Sequence, residues 1–453
     1  MQVAAIPESP RLPVVGGTLH YIHDPLGYLE DATRLGDLVK MQFFRKAAWL
    51  VSDPALIDQV LVKNAASFRK DMFMRTLKTV LGEGLLGSEG DFWKRQRRLI
   101  QPAFHRDHIA GYARIMTDHT TRAISRWRDG QSLDAHGALM ELTAEIVTAC
   151  LFGTSAGDVS EVGACIDAVM ERFANPFFLM FPGAGDLPLP INRRFREAAP
   201  RLDRIVRGFI EQRRAKLRLG AGEGEAREDH DLLAMLLDAR DDDGSSMSDQ
   251  QVRDEVLILF LAGHETTALA LSWTLHELSL NPGVERRLHD ELTRVLGGRT
   301  PTFDDLPKLE YTARVVNEGL RLHPPAWSLG RESIAPFELG GQKFEAGSWV
   351  WTLPYTVQRD PRWFPDPLAF KPERWEDGLA KKLPKFAYMP FGGGPRICIG
   401  NQFALMEAAL LLATICQRFF LRTEPGHRVV PDPAITLRFK HGLRMRLTAR
   451  EAS

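Results

Sequence analysis

Two periods of apolar residues run along this chain. The helical period of three to four dominates from His119 to Cys165 and from Leu202 to Leu219, with GDLPLPINRR breaking the chain between them. After a proline-rich lead, LVKMQFFRKAAWLVSDP alternates instead and predicts two short strands around Arg45 and Lys46, closed by Asp53-Pro54. A helix from Ala55 to Lys63 follows, and then FRKDMFMRTLKTVLGEGLLGSEGD, whose glycines and broken period predict an irregular loop able to close over a ligand. The longest pattern is SDQQVRDEVLILFLAGHETTALALSWTLHELSLNP. Ser248 with Gln251 forms a capping box and Asn281-Pro282 stops the helix, which leaves about thirty residues, roughly 45 to 50 Å at about 1.5 Å each. YTARVVNEGLRLHPP predicts a helix ending before Pro324; FELGGQKFEAGSWVWTLP reads as a hairpin turning at Gly340-Gly341, and DPAITLRFKHGLRMRL as another. The expected class is mainly α with small β-sheets.

Composition narrows this picture. With 453 residues, 44% hydrophobic and 26% charged, the chain has ample material for a large core. Fifty-eight basic and fifty-eight acidic residues cancel, so nothing draws the whole chain toward nucleic acid. Length alone suggests about three domains, but the motifs below are spread along the chain and depend on one another, which predicts one domain over residues 1–453. The four cysteines, Cys150, Cys165, Cys398 and Cys416, lack metal-finger spacing, and three lie in apolar helical sequence, so disulfides are not expected and a reducing cytoplasm fits. The start, MQVAAIPESPRLPVVGG, has neither a signal pattern nor a membrane anchor. GAGEGEAREDHD, from Gly220, reads as a flexible surface loop.

Candidate chemistry concentrates in four places. In FGGGPRICIG, Phe391 to Gly400, the glycines permit backbone angles closed to other residues, so the loop can pass flat beneath a planar ligand. Its thiol precedes the helical run NQFALMEAALLLATIC, where free N–H groups, the helix dipole and Arg396 favour thiolate, a metal ligand or nucleophile. No Lys-Ser or Lys-Thr follows the glycines, as a phosphate loop requires, and no redox CxxC occurs. The second place is the long helix, which runs from apolar Val256–Ala262 into Gly263, His264, Glu265, Thr266 and Thr267. A metalloprotease HExxH is absent, because the second histidine positions hold Ala268 and Leu280; His264 reads as structural. A threonine bonding a carbonyl one turn back, beside a glycine, predicts a local opening for oxygen or water. Third, Trp93 and Arg97 share one helix face, leaving Lys94, Arg95 and Arg98 outward. Fourth, Glu318 and Arg321 stand at i, i+3, with Arg374 in FKPERW.

The spacing of Phe391, Gly394, Arg396, Cys398 and Gly400 closely resembles the haem-ligand loop of the cytochrome P-450 superfamily, and the other three motifs match that family in order. The resemblance implies a single triangular, α-rich domain of soluble bacterial type holding haem b, with the Cys398 thiolate as axial ligand. Phe391, Gly392 and Ala262 would lie against the haem, and Trp93, Arg97, Arg331 and Arg396 would bind its propionates. Glu265 and Thr266 would deliver protons during oxygen activation, and Glu318, Arg321 and Arg374 would form a buried cluster bracing the cysteine loop. The implied reaction places one atom of O2 in a hydrophobic small molecule, by hydroxylation or epoxidation. Phe73, Phe178, Phe260, Trp327, Leu329, Ile435 and Leu437 are the candidate substrate contacts, and the aromatic run from Phe173 to Gly183 falls over the entrance. Fatty acids, terpenoids and polyketides all suit; the AGHETT and HPPAW forms look closest to the fatty-acid hydroxylases. No reductase domain fits beyond the cysteine loop, so electrons are expected from an external ferredoxin or flavodoxin with its reductase, received near Trp93 or at Lys381, Lys382 and Lys385 on a monomeric protein. The alternatives are a haem-thiolate peroxygenase or isomerase, and a haem protein that binds gas without turnover.

Overall fold

A computed structural model describes residues 6–44, 46–153, 159–174, 184–185, 187–219 and 231–450. The chain divides into two compact units: Met1–Met72 with Arg314–Cys398 and Pro431–Arg438, and Phe73–Ala313 with Ile399–Val430 and Phe439–Ser453.

The first unit is built on five strands. Leu38–Phe43 and Lys46–Val51 pair antiparallel, Leu38 opposite Val51 and Phe43 opposite Lys46. Trp349–Thr352 then runs parallel to the second of these, with Leu329–Ser333 and Phe68–Lys70 antiparallel beyond it. Alternation divides their side chains between two cores. Val39, Met41, Ala48 and Leu50 pack with Tyr28, Leu29 and Ala32 of the helix Pro25–Arg34. Val51, Val350 and Phe68 pack on the other side with Phe337, Phe344 and Phe386. Helix Pro54–Asp58 is α, but its continuation Gln59–Lys63 widens into a π turn. The predicted hairpin forms from Phe337–Leu339 and Gln342–Phe344, turning through Gly340 and Gly341 at φ 60° and 78°.

The second unit surrounds the helix Asp249–Leu280, whose capping box between Ser248 and Gln251 is complete. Helices Arg106–Ile124, Ala135–Phe152, Pro190–Leu219 and Asn401–Arg418 also belong to it. A β-carbon at Gly263 would stand 2.8 Å from Val147 Cγ2, so the glycine lets the central helix approach Ala135–Phe152 closely. Among the described residues, two helices, Ala135–Phe152 and Asp249–Leu280, are long and apolar enough to cross a membrane, but 67% and 83% of those windows are buried inside the protein, as core helices require.

Three expectations change. Pro190 begins a helix that runs to Leu219, so INRR lies inside an element and the break is confined to the residues before it; proline suits the first helical position. The stretch after Lys63 is ordered as strand Phe68–Lys70 and helices Met72–Thr76 and Lys78–Leu81. Its glycine loop is pinned to the central helix: Glu83 N–H donates to Asp254 at 2.8 Å and Leu85 N–H to Glu255 at 2.9 Å. Finally, the helical pattern from His119 to Cys165 resolves into Arg106–Ile124, Ala135–Phe152 and Val159–Ala174, with the strand Ser132–Asp134 between the first two. The segment from Gly220 to His230, and most of the aromatic run after Phe173, with Phe178, lie outside the described residues.

Candidate active site

The cysteine loop is tied by its own backbone. Gly392 N–H donates to Met389 O at 3.0 Å, Ile397 N–H to Gly394 O at 3.1 Å, and Cys398 N–H to Phe391 O at 3.0 Å. Gly392 and Gly394 adopt φ of 69° and 67°, which side chains tolerate poorly. A β-carbon on Gly394 would also collide with the Leu61 carbonyl of the π turn, and one on Gly393 with the Phe386 ring. Cys398 is exposed, whereas Cys150, Cys165 and Cys416 are buried, and none of the four is in a disulfide. Burial pushes the other three thiols up and keeps them neutral.

Behind the loop sits the ion cluster. Glu318 accepts from Arg321 Nε and Nη2 at 2.9 and 2.8 Å, from Arg374 Nε at 2.8 Å, from Lys371 N at 2.9 Å and from Trp375 Nε1 at 3.0 Å. The side chains of Glu318 and Arg321 are 0% exposed, and Arg321 also donates to the carbonyls of Gln358, Pro367 and Ala369. The amide of Gln358 carries this order onward: Nε2 donates to Leu320 O and Arg321 O, while Oε1 accepts Met389 N–H at 2.8 Å. Met389 O in turn receives Gly392 N–H. The sequence reading missed Trp375 and Gln358. Trp375 stands beside Arg374 in the PERW run, whereas Gln358 belongs to no motif.

On the central helix, every residue from Val252 to Leu275 is buried except Ala262, Gly263 and Thr266. Spaced i, i+1, i+4, these three make one open stripe on an otherwise enclosed cylinder. Thr266 Oγ1 donates to Ala262 O at 2.6 Å within it. Glu265 is buried beside the stripe. The expected break in the helix does not occur, since the chain stays α-helical through this point and the threonine satisfies the carbonyl as a side branch. His264 is structural, as expected: Nδ1 lies 3.2 Å from Phe260 O, and its carbonyl accepts from Thr143 Oγ1.

Trp93 and Arg97, on helix Gly90–Ile100, line a cavity of about 770 Å³ together with Lys94, Arg98, His105 and His108. Its walls are cationic, as a carboxylate-bearing ligand needs. Arg95 does not face outward: its guanidinium donates to Asp241 at 2.8 Å and to Ser245. Arg331 is half-buried in its strand, and Arg396 in the loop. Leu329 Cδ1 would lie 3.7 Å from a β-carbon at Gly392, which places this residue against the cysteine loop. Phe73 and Ile435 are half-buried. Phe260, Trp327 and Leu437 are enclosed at 2%, 4% and 0% exposure. Trp327 and Leu437 share the strand core with Tyr28 and Tyr355, and the Trp327 indole donates to Ala434 O.

The family model described as "Cytochrome P450" matches residues 7–439. The chain belongs to the cytochrome P450 family. Two proteins of Streptomyces melanosporofaciens are each 38% identical: cyclooctatin synthase, over 94% of this chain and 92% of its own, and cyclooctat-9-en-7-ol 5-monooxygenase, over 92% and 89%. Pentalenene oxygenase of Streptomyces avermitilis is 33% identical over 97% of this chain and 96% of its own. The crystal structure of the cytochrome P450DA haem domain superposes with a TM-score of 0.88, at 25% identity, over 99% of both chains. This P450 is therefore a haem-dependent monooxygenase with the fold expected of the family. The residues of each unit, taken by itself, suit such a group: in the first an exposed cysteine in a glycine-lined loop, in the second a cationic cavity and an open stripe on the central helix.

Proposed function

We propose that this P450 oxygenates a hydrophobic cyclic hydrocarbon or alcohol of the terpenoid class, with Cys398 as thiolate ligand and Glu265 and Thr266 as the proton-handling pair. The observation that carries the reading is the stripe of Ala262, Gly263 and Thr266, open in a helix enclosed elsewhere from Val252 to Leu275. Haem supplies the iron at which oxygen is activated. The protein does the rest. Trp93, Arg97, Arg331 and Arg396 would hold its carboxylates by hydrogen bonds, and Phe391, Gly392 and Ala262 would lie against it. Thr266, tethered to Ala262 O, presents a hydroxyl oxygen that can accept and pass on a proton, and Glu265 beside it supplies one from a carboxyl. Phe73, Leu329 and Ile435 keep surface for substrate; Phe260, Trp327 and Leu437 shape the walls from behind. The relatives named for cyclooctat-9-en-7-ol and pentalenene support a cyclic terpenoid over a fatty acid.

Electrons come from a separate ferredoxin or flavodoxin with its reductase, and the enzyme works as a cytoplasmic monomer. Lys381 and Lys382 are exposed cations suited to an acidic donor. Lys94, Arg98 and Lys385 already hold Asp91, Asp241 and Asp58, which leaves them weaker candidates.

Incubating the reconstituted protein with ferredoxin, reductase, NADPH and isotopically labelled oxygen gas, against pentalenene and a saturated fatty acid, tests the reading. One labelled oxygen atom in a pentalenene product is the expected result. Labelled fatty acid alone overturns the substrate class, and product formed only when hydrogen peroxide replaces the electron donor makes the enzyme a peroxygenase.

A further inference from the structure

A closed circuit of side chains ties three segments of the second unit together. On the central helix Gln250, Arg253 and Asp254 stand at i, i+3 and i+4, and on helix Pro190–Leu219 Asp203 and Arg207 stand at i and i+4, so each set shares a face. Arg253 Nε donates to Asp203 Oδ1 at 2.7 Å, and Arg207 Nε to Asp203 Oδ2 at 2.9 Å. Arg207 Nη2 donates to Gln250 Oε1 at 2.7 Å, and Gln250 Nε2 to Asp254 Oδ1 at 2.7 Å. Arg253 Nη1 reaches the same Asp254 oxygen at 3.0 Å and closes the circuit. Two spurs leave it for helix Lys78–Leu81 and the loop beyond. Arg253 Nη1 donates to Val80 O at 3.0 Å, and Asp254 Oδ2 accepts Glu83 N–H at 2.8 Å.

That loop covers the continuation of the open stripe. Glu255, which accepts Leu85 N–H at 2.9 Å and the Gln96 amide at 3.1 Å, shares one face of the central helix with Ala262 and Thr266, at i, i+7 and i+11. A β-carbon on Gly82 would stand 2.0 Å from Asp254 Cγ, and one on Gly84 2.7 Å from Ile258 Cδ1. The loop therefore rests directly on the helix, and here the stripe ends: from Leu261 back to Val252 every residue is buried. Helix Met72–Thr76, with Phe73, leads into the same stretch.

Stability alone does not ask for ions at this place. Apolar side chains of similar volume hold helices together as well as a buried ion pair does, because desolvation offsets most of the attraction. What the ions add is a closure that parts as a unit. Arg253 and Asp254 are enclosed, at 8% and 4% exposure, whereas Asp203 and Arg207 are half-buried and Gln250 is exposed. Water can reach the circuit from that side and satisfy its members once the segments separate.

We propose that Arg253 is a positioning residue for ligand exchange. By holding Asp203, Val80 and Asp254 at once it locks helix Pro190–Leu219 and the loop onto the central helix, and bulky apolar ligands reach and leave the open stripe when this circuit opens. The assignment rests on the stripe being the ligand side of the helix, as in the function proposed above, and is independent of the substrate class.

The test is stopped-flow binding of two azoles to the haem-loaded protein, long-tailed 1-dodecylimidazole and small imidazole, followed by the Soret shift that nitrogen ligation of iron produces. Arg253→Met keeps the length of the side chain and loses every donor. It is expected to speed both association and dissociation of 1-dodecylimidazole by about tenfold, because hydrogen bonds to charged groups no longer resist opening. The dissociation constant should hold within about threefold, unlike an ordinary loss of contacts, which acts on dissociation. Imidazole rates should stay native, as should the carbonyl spectrum. Arg253→Lys, one cation unable to span three acceptors, should fall between native and Arg253→Met. Asp203→Ala, at a half-buried position on the other helix, should act as Arg253→Met does and serves if that variant folds poorly. Arg193→Met, which removes an exposed pair with Glu197 on the same helix, should leave all rates unchanged. Native rates for 1-dodecylimidazole in Arg253→Met and Asp203→Ala would overturn the proposal. So would faster dissociation alone, which makes Arg253 a support of the bound ligand, or equal acceleration of imidazole, which means a melted loop. The azoles report access whichever substrate is oxidised, so this assignment and the terpenoid reading fail separately.

Discussion

Thr266 and Glu407 show how single polar groups on enclosed helices set chemistry and stability. Removing the hydroxyl in Thr266→Ala leaves the open stripe without its proton acceptor, so oxygen consumption should continue while organic product per electron falls roughly ten- to hundredfold; assaying oxygen uptake, peroxide and product together checks this. Cys398→Ser should replace the red-shifted carbonyl band of the reduced protein by an ordinary one, since a hydroxyl does not give the thiolate donation. Glu407, on the helix following the cysteine loop, is 1% exposed, and neither carboxyl oxygen completes a hydrogen bond. Burial raises its pKa from 4.5 to about 8, against a weaker opposing pull from the Thr267 hydroxyl. Between those values the unfolded chain has lost a proton that the folded one keeps, so stability falls as pH rises, by up to about 1.4 kcal/mol per unit. Urea midpoints measured at about pH 5 and about pH 8 should differ less in Glu407→Gln than in the native protein, with the variant the more stable at the higher pH. Cys398, Thr266 and the glutamate-arginine pair were legible because each sits in a dense motif. Glu407 was not, because a lone acid in an apolar helix reads as a surface residue until burial is known.

Among elements, the helix Glu310–Leu322 acts less as a packing cylinder than as a post from which the cysteine loop hangs. Glu318→Ala strips Arg321, Arg374 and Trp375 of their shared acceptor, and losing one partner of a buried ionic network costs about 3 to 5 kcal/mol. The variant should fail to retain haem, read as loss of the Soret band after gel filtration. Gln358→Ala removes three hydrogen bonds between that helix and the loop. It should cost about 1 to 3 kcal/mol and lower haem occupancy without abolishing it, seen as a reduced melting temperature and a mixed carbonyl spectrum. Element boundaries were readable where the sequence spells a cap or a stop, as at Ser248, Asn281 and Pro324, and misread where proline starts a helix, as at Pro190. The π turn at Gln59–Lys63 was invisible, because widening a helix by one residue leaves the apolar spacing of QVLVK almost unchanged. What it does is tertiary: Leu61 O lies where any side chain on Gly394 would have to go.

For the whole molecule, net charge is zero and function depends on local fields. Reversing Lys381 and Lys382 to glutamate should slow reduction by an acidic ferredoxin and flatten its salt dependence, whereas Lys385→Glu, which loses a pair with Asp58, should show a smaller kinetic effect; stopped-flow reduction at several ionic strengths separates the two. Class and cofactor were readable because four motifs fall in one order along the chain. The ties of the cysteine loop carry a consequence for assembly. Gly394 rests on Leu61, and Met389 is held by Gln358, itself fixed to the end of the helix that carries Glu318. Contacts so far apart in sequence close slowly. The chain must therefore be made past Gly394 before the support of the cysteine loop exists, so cofactor capture waits on that loop, and haem supplied after synthesis should be taken up as fully as haem present throughout.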